Sequence, residues 1–359
     1  MRNELHSLSA RGGEGRGEVA RVSESVAADV SRLTSSNRPS EIVNRKSRNS
    51  PAILLLLILQ FAFFISRAPA ADADGICDCP KVIHDNIAHF NTLLTLTAPQ
   101  QKKAASRHFP FGRPAAAAAH SHERLLPQTD YLIWYDDDLR DPLWVSYRLT
   151  KTDLLAKLTR TNCFRADPRL PAAAAATCDD YDEHTFDRGH LCPNADMERS
   201  IEAMINTYLF SNMTPQFSNF NRGIWETLES HTRVWAKAKG ELFVISGAIF
   251  DKNGDGQRDA DTLPDRVKPL RRVAIPTHFY KILIHKRTFG GDEVLAFLLP
   301  HNDVDQPGGA AGDAYLAQHL VRIKDIAARV GGVNFFPKAV PTRRTFLENT
   351  QPQSLWPLH

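Results

Sequence analysis

The chain has 359 residues, enough for one large domain or two modest ones, and its 42% hydrophobic and 24% charged residues are ordinary for a globular protein. Ten of the 44 Lys and Arg residues and six of the 41 Asp and Glu residues lie in residues 1–70, so the remainder carries one more acidic than basic side chain. This balance excludes a uniformly basic nucleic-acid binder, and any phosphate-binding surface must be local.

The first 70 residues form a leader in two parts. Residues 1–50 are rich in Ser, Arg, Gly and Glu without apolar periodicity, which predicts disorder. A basic stretch then precedes the apolar run 52–65 and the small-residue sequence Ala68-Pro69-Ala70-Ala71, a pattern typical of a secretory signal. We therefore expect cleavage near Ala70 and export, either secreted or periplasmic. The alternative is an N-terminal membrane anchor that is not cleaved.

Five cysteines follow the leader, at positions 77, 79, 163, 178 and 192. In an oxidising compartment they predict one or two disulfides, although Cys77 and Cys79 are too close to pair with each other. The pairing is left open, and the odd number leaves one thiol over. Zinc is the alternative, but neither a Cys-x-x-Cys pair nor a histidine pair with finger spacing is present.

Hydrophobic patterning divides the rest of the chain into an N-terminal extension and linker (71–127), a main domain (128–345) and a C-terminal tail (346–359). Alternating or continuous apolar runs predict strands at 131–135, 143–149, 241–250, 272–285 and 293–299. Helical patterns cover 82–94, 197–212, 221–239 and 314–330. Strands in runs, without regular βαβ alternation, predict an α+β fold with a largely antiparallel central sheet flanked by helices.

The sequence Asp187-Arg188-Gly189-His190 is suited to phosphodiester hydrolysis. On a strand, Arg188 and His190 share one face, while Asp187 points to the other and is expected to fix the strand by hydrogen bonds. A neutral histidine can take a proton from water at neutral pH, so His190 is the candidate general base. Arg188 offers planar, bidentate donors for the phosphate.

A downstream helix adds oxygen ligands for a metal. Asn221, Trp225 and Glu229 are spaced so that a regular helix carries them in one stripe. Mg²⁺ keeps several waters and needs few protein oxygens, so Asn221 is the candidate ligand. Glu229 is placed to hydrogen-bond metal-bound water, and Trp225 is expected to pack the helix on the sheet. Without a metal, Asn221 would be read as a helix N-cap.

These motifs carry a family resemblance. The sequences Asp187-Arg188-Gly189-His190-Leu191, Ser211-Asn212-Met213-Thr214-Pro215-Gln216 and Asn221-Arg222-Gly223-Ile224-Trp225-(x)3-Glu229 resemble those of the DNA/RNA non-specific endonucleases. This ββα-metal (His-Me finger) family includes secreted sugar-non-specific nucleases and endonuclease G. The resemblance runs from about residue 144 to 337.

The resemblance implies a Mg²⁺-dependent endonuclease, with Mn²⁺ as a substitute, that acts on DNA and RNA with little sequence preference. His190 is then the general base, Asn221 the metal ligand and Glu229 a partner of the metal's water shell. Asn212 and Arg160 match positions that contribute to substrate binding. We expect no stable protein partner, with a homodimer as the alternative assembly. Two other functions stay open, a catalytically silent nucleic-acid-binding relative and a phosphodiesterase for a small substrate.

Two further features are predicted from composition. Asp251, Asn253, Asp255 and Asp259 match positions of a calcium-binding loop, although position 12 is Thr262 rather than Glu. The alternative is a plain Asp/Gly-rich surface turn. A group of basic residues is the candidate phosphate-facing surface: Arg266, Lys268, Arg271, Arg272, Lys281, Lys286 and Arg287.

Overall fold

The computed structural model describes residues 75–116, 122–181, 185–265, 272–287, 291–305 and 308–358. The predicted leader and signal peptide (1–70) lie outside these ranges, as do Arg266, Lys268 and Arg271 of the basic group. Across the described ranges, the helices are all too short or too polar to traverse a lipid bilayer.

The centre of the described structure is a six-stranded antiparallel sheet with the order β10-β9-β8-β4-β3-β2. Its strands are β2 (Glu123–Pro127), β3 (Leu132–Asp136), β4 (Asp141–Thr150), β8 (Glu241–Ile249), β9 (His278–His285) and β10 (Glu293–Pro300). Long apolar and β-branched runs form these strands, and most of their side chains are buried because both faces are covered. The predicted α+β class with a largely antiparallel sheet is therefore confirmed.

Two small antiparallel sheets lie beside the central one. One pairs β6 (Phe186–His190) with β7 (Met213–Phe217), and the other pairs β1 (Ile76–Cys77) with β5 (Phe164–Arg165). A π-helical turn at Phe220–Trp225 follows β7 and leads into the longest α-helix of the described residues, Glu226–Lys239. Strands β6 and β7 and the helix that follows them together form a ββα unit.

The remaining α-helices are short elements around the sheet. In chain order, and with the helix 226–239 as α5, they are α1 (Lys81–His84), α2 (Ile87–Thr92), α3 (Ala98–His108), α4 (Ile201–Asn206), α6 (Gly309–Gln318), α7 (Ile323–Arg329) and α8 (Pro341–Asn349).

Strand alternation gives the sheet two hydrophobic cores. On one face, Leu228 and Trp235 of α5 pack in the same cluster as Phe279 and Leu283 of β9. On the other face, Tyr280 of β9 lies in a cluster with residues of α3, α7 and α8. Helices therefore cover both faces, and the ββα unit lies on the α5 side.

Several predicted elements differ from the observed ones. The helix expected over 197–212 is reduced to α4 and a 3-10 turn at Phe210–Asn212, because β7 begins at Met213. The helix expected over 314–330 is two helices with a break at 319–322, where Val321 bonds the backbone of Ala296 beside β10. In these places tertiary hydrogen bonds compete with helical periodicity.

The boundaries of the main domain also differ from the expectation. Strand β2 ends at Pro127 and pairs with β3, so the sheet already includes the end of the predicted linker. Helix α8 spans residues on both sides of the predicted boundary at 345/346, and its Leu347 is fully buried. The end of the extension that forms β2 and the start of the tail that lies in α8 are therefore packed in the folded unit.

The five cysteines all fall in described ranges, and they form two disulfides, Cys77–Cys178 and Cys79–Cys163. Cys192 is free and buried. Two disulfides agree with the upper end of the predicted number, and they tie the N-terminal extension to the loops that precede β6.

Candidate active site

The strand β6 presents two different faces, as its alternation predicts. On one face, the Arg188 guanidinium lies over the Phe164 ring, with 4.7 Å from its central carbon to the ring centroid. The His190 ring lies 6.1 Å from the same Phe164 ring and 5.3 Å from Tyr208, measured between centroids. Arg188 and His190 therefore share one aromatic-lined face.

The other face of β6 carries Asp187 toward the helix. Its carboxylate accepts from Asn221 Nδ2 at 2.9 Å, from Arg222 at 2.6 and 2.8 Å, and from Ser218 Oγ at 3.1 Å. These bonds and the Arg222 charge lower the pKa of Asp187, against the opposing effect of its partial burial. Asp187 thus holds the Asn221 side chain in place, beyond the strand-fixing role expected for it.

His190 is enclosed by the aromatic side chains. Burial lowers the pKa of His190 to about 3, and the nearby Arg160 charge acts in the same direction. Its Nε2 is buried and has no hydrogen-bond partner within the described residues. The imidazole is accordingly neutral at physiological pH, with one polar atom unpaired.

Glycine at position 189 is required by packing. It pairs with Thr214 across the β6–β7 hairpin, and a β-carbon there would overlap the side chain of Gln216. Gln216 is completely buried. The glycine of the Asp-Arg-Gly-His sequence thus lets the glutamine cross the strand between Arg188 and His190.

The helix that carries Asn221 is not regular. Gly223 has non-helical backbone angles (φ −106°, ψ −106°) within the π-helical turn, and α5 begins only at Glu226. The expected single stripe of Asn221, Trp225 and Glu229 is therefore interrupted by a kink. Trp225 is packed in the core, as expected, and its Nε1 donates to the His190 backbone carbonyl at 3.3 Å. This bond connects the start of α5 directly to the end of β6.

Glu229 lies next to a buried cation. Burial raises the pKa of Glu229 to about 7, while the Lys281 ammonium pulls it in the opposite direction. Lys281 is fully buried, donates to Ser246 Oγ at 2.7 Å and lies 4.3 Å from the centroid of the Trp225 ring. Lys281 therefore packs against Trp225 at the start of α5 and does not belong to a phosphate-facing surface.

The other described members of the predicted basic surface are also dispersed. Arg272 pairs with Asp180, and Arg287 with Glu293. Lys286 lies near the Phe111 and Phe243 rings, which belong to the core on the face opposite α5. The expectation of one basic surface was wrong for Lys281, which is fully buried, and Arg272 and Arg287 are paired with acidic side chains.

The two predicted substrate-binding residues differ in position. Asn212 is completely buried, and its amide bonds the Cys192 N–H, the Cys192 carbonyl and the Thr207 carbonyl, each at 2.9 Å. It cannot contact substrate in this structure and instead shapes the backbone after His190. Arg160 is exposed, bonds Asn162 Oδ1 at 2.6 Å and is close enough to His190 and Tyr208 to alter both pKa values.

The predicted calcium loop is a series of turns closed by its own side chains. Asp251 accepts from the Gly254 and Gly256 N–H groups, Asn253 from Asp255 N–H, and Asp259 from Lys252 N–H. Asp251 also pairs with the Arg329 guanidinium at 2.9 Å. Calcium binding here stays a prediction.

The oxygen atoms at and next to Asn221 suit a hard cation. Because Asn221 donates its Nδ2 to Asp187, its Oδ1 is the remaining polar atom, and in the described ranges it has no hydrogen-bond donor. One amide oxygen with a neighbouring carboxylate is a fitting protein contribution for a hydrated Mg²⁺, which prefers oxygen and retains water. No cluster of three or more His, Cys, Asp and Glu side chains that could hold a metal ion occurs among the described residues.

Sequence reasoning missed several residues of this site. Phe164, Tyr208 and Asp78 all lie within reach of Arg188 or His190, yet they come from distant parts of the chain. The position of Phe164 directly after Cys163 was a usable signal, because a disulfide fixes the segment around it. No local pattern marked Tyr208.

A ββα unit with an Asp-Arg-Gly-His strand and an Asn-bearing helix defines a ββα-metal nuclease fold. The family model for DNA/RNA non-specific endonucleases matches residues 116–342, and the chain belongs to this family.

Relatives of two kinds are similar to the chain. Human mitochondrial endonuclease G is 32% identical over 230 residues, which are 63% of this chain and 72% of that protein. The mitochondrial nuclease EXOG of Danio rerio is 29% identical over 243 residues, 66% of this chain and 67% of that protein. A venom phosphodiesterase of Macrovipera lebetinus is 29% identical over 287 residues, 75% of this chain. The chain spans about one third of the length of the venom phosphodiesterases that it matches.

Proposed function

We propose that this protein is a metal-dependent endonuclease that hydrolyses phosphodiester bonds of DNA and RNA with little sequence preference. The observation that carries the proposal is the arrangement of β6, with a neutral, unpaired His190 beside Arg188 on one face and Asp187 holding Asn221 on the other. Family membership and the likeness to endonuclease G support the reaction class.

His190 acts as the proton acceptor in this proposal. The imidazole is neutral, because its pKa lies well below physiological pH, and in this proposal the ring takes a proton from the attacking water. Arg188 and the exposed Arg160 lie next to His190 and present guanidinium groups to the phosphate. Contacts of this kind bind the backbone, which carries no base information, and this favours low sequence preference.

Asn221 is the proposed metal ligand, oriented by Asp187. A hydrated Mg²⁺ held there supplies charge neutralisation for the phosphate and the leaving oxygen, and Mn²⁺ offers the same oxygen preference. In this proposal Glu229, which follows the kink on α5, accepts hydrogen bonds from the hydration shell, and it lies beside the buried Lys281.

The experiment is digestion of supercoiled plasmid and of a long RNA by the purified protein, with Mg²⁺ and then with EDTA. We expect nicking and RNA cleavage with Mg²⁺, loss of both with EDTA, and a fall of about 10² to 10⁴ in rate for His190→Ala, the usual contribution of a general base. The folded state of the variant is checked by circular dichroism.

Three outcomes would contradict the proposal. Nucleic-acid binding without cleavage would indicate a catalytically silent relative. Turnover of a small phosphodiester such as bis(p-nitrophenyl) phosphate, with intact plasmid and RNA, would indicate a small-substrate phosphodiesterase. Cleavage by His190→Ala at the parental rate would remove His190 from the reaction.

We also propose that the protein acts in an oxidising compartment after removal of the leader near Ala70. The two disulfides support this, since such bonds persist in secreted and periplasmic proteins. Among the relatives, one is named as a venom protein and two are named as mitochondrial proteins. An intact mass of the natural protein that still includes residues 52–65 would contradict cleavage.

A further inference from the structure

The N-terminal extension reaches the candidate active site through the sequence Cys77-Asp78-Cys79. Strand β1 pairs with β5, so that Cys77 lies opposite Phe164, the residue on which Arg188 stacks. Both cysteines that flank Asp78 are bonded to loops near the site, Cys77 to Cys178 and Cys79 to Cys163. The backbone of this segment is therefore fixed at both neighbours of Asp78.

Asp78 occupies a left-handed backbone conformation, with a φ of 56°. Aspartate tolerates this conformation better than most residues, and here it turns the side chain toward β6. Its Oδ2 accepts a hydrogen bond from Arg188 Nη1 at 2.5 Å, and the ion pair is only partly exposed to solvent. A carboxylate from the extension thus contacts the arginine proposed to bind the phosphate.

Arg188 is held on two sides by this arrangement. The Phe164 ring supports the flat face of the guanidinium, and Asp78 bonds one of its edges. In the part of the chain that the structure describes, Nε and Nη2 of Arg188 have no hydrogen-bond acceptor. A second edge of the guanidinium is therefore available to a phosphate while Asp78 stays bound.

We propose that Asp78 is a positioning residue for Arg188, which orients the guanidinium for the phosphate through the fixed Cys77-Asp78-Cys79 turn. The inference rests on the proposed nuclease function of Arg188. Positioning fits the contacts better than blocking does, because Asp78 occupies a single nitrogen and its neighbours are covalently anchored. An arginine that has lost this partner would sample more rotamers and lose orientation for the phosphate.

The kinetic test uses Asp78→Asn, which keeps the shape of the side chain and removes its charge. The matched control is Asp85→Asn, a surface carboxylate of the same extension that pairs with Lys81 at 2.9 Å. We expect Asp78→Asn to lower kcat for plasmid nicking about tenfold with little change in KM, and Asp85→Asn to leave both constants at parental values. Asp78→Glu, which restores the charge, is expected to recover part of kcat.

A double-mutant cycle separates an effect through Arg188 from a general structural effect. In an Arg188→Lys background, Asp78→Asn is expected to lower kcat by less than a further twofold. Full multiplication of the two effects would overturn the proposal, as would an Asp78→Asn variant with parental kcat. A rise in kcat would also overturn it and identify Asp78 as a blocking carboxylate.

A spectroscopic readout tests the positioning without relying on activity. The ¹⁵N–¹H resonance of Arg188 Nε, assigned by its loss in Arg188→Lys, is expected to be narrow and shifted from the exposed arginines in the parental protein. In Asp78→Asn this resonance should move toward the chemical shifts of the exposed arginines. In Asp85→Asn it should keep its parental chemical shift. An unchanged resonance in Asp78→Asn refutes the inference. Absence of any nucleic-acid cleavage by the parental protein refutes the proposed function instead, and the resonance still reports on the contact between Asp78 and Arg188.

Discussion

At the scale of single residues, the site depends on how one short strand divides its side chains. Arg188 and His190 face an aromatic surface, and Asp187 faces the helix and binds the Asn221 amide. The two halves of the proposed reaction, proton transfer at His190 and metal binding through Asp187 and Asn221, are thus held by residues on opposite faces of one strand. Small changes in β6 would therefore affect both.

The metal role of Asn221 leads to a prediction about Mg²⁺ dependence. Asn221→Ala removes the amide oxygen, so we expect the Mg²⁺ concentration for half-maximal nicking to rise at least tenfold. Asn219→Ala is the control, since Asn219 is an exposed asparagine just before the same helical turn. Equal Mg²⁺ titration curves for Asn221→Ala and the parental protein would exclude the ligand role.

At the scale of elements, the β6–β7 hairpin and the kinked start of α5 set the site geometry. The hairpin places Gln216 across Gly189, and Trp225 bonds the last residue of β6. The kink at Gly223 lets Asn221 turn back toward Asp187 while α5 continues along the sheet. A straight helix from residue 221 would not bring Asn221 to Asp187 and Trp225 to the end of β6 together in this arrangement.

The close packing at Gly189 gives a stability prediction. Gly189→Ala should lower the free energy of unfolding by about 1–3 kcal/mol, the usual range for overpacking, because the new β-carbon would overlap the buried Gln216 side chain and force it to shift. In a Gln216→Ala background the same substitution should lower it by less, since the overlapping atoms are gone. Urea denaturation of the four proteins measures this, and equal losses in both backgrounds would contradict the steric explanation.

At the scale of the whole molecule, buried histidines couple folding to pH. His108 donates from Nε2 to the Thr129 carbonyl and accepts the Arg148 N–H at Nδ1, and His301 likewise bonds the Pro276 carbonyl and the Phe217 N–H. Each ring must be neutral to accept a backbone N–H. Burial accordingly lowers the pKa of His108 and of His301 to about 4.

These histidines predict acid destabilisation between about pH 6.5 and pH 4. An unfolded histidine takes up a proton below about pH 6.5, whereas the folded ring does so only near pH 4, so falling pH in this window favours unfolding. Each such group contributes up to about 1.4 kcal/mol per pH unit to the decline. His108→Gln should reduce the decline measured by urea denaturation at pH 7 and pH 4.5. An unchanged decline in His108→Gln would contradict the assignment.

The sequence by itself determined the features that rest on local periodicity and on fixed spacing. Apolar alternation predicted five strands of the central sheet and its antiparallel class, and the two faces of β6 followed from the strand period alone. The Asp187-to-His190 motif and Asn221 were also apparent, because motif residues are contiguous or nearly so.

Only the tertiary structure decided which distant residues join the site. Phe164 and Asp78 reach β6 through disulfides and strand pairing over long sequence separations, and Tyr208 reaches it through its backbone bond to Arg165. Lys281 was misjudged because a polar side chain on a buried strand binds core partners, and Asn212 bonds the backbone after His190. Burial and pairing are properties of the packed chain, and packing is set by contacts between residues far apart in sequence.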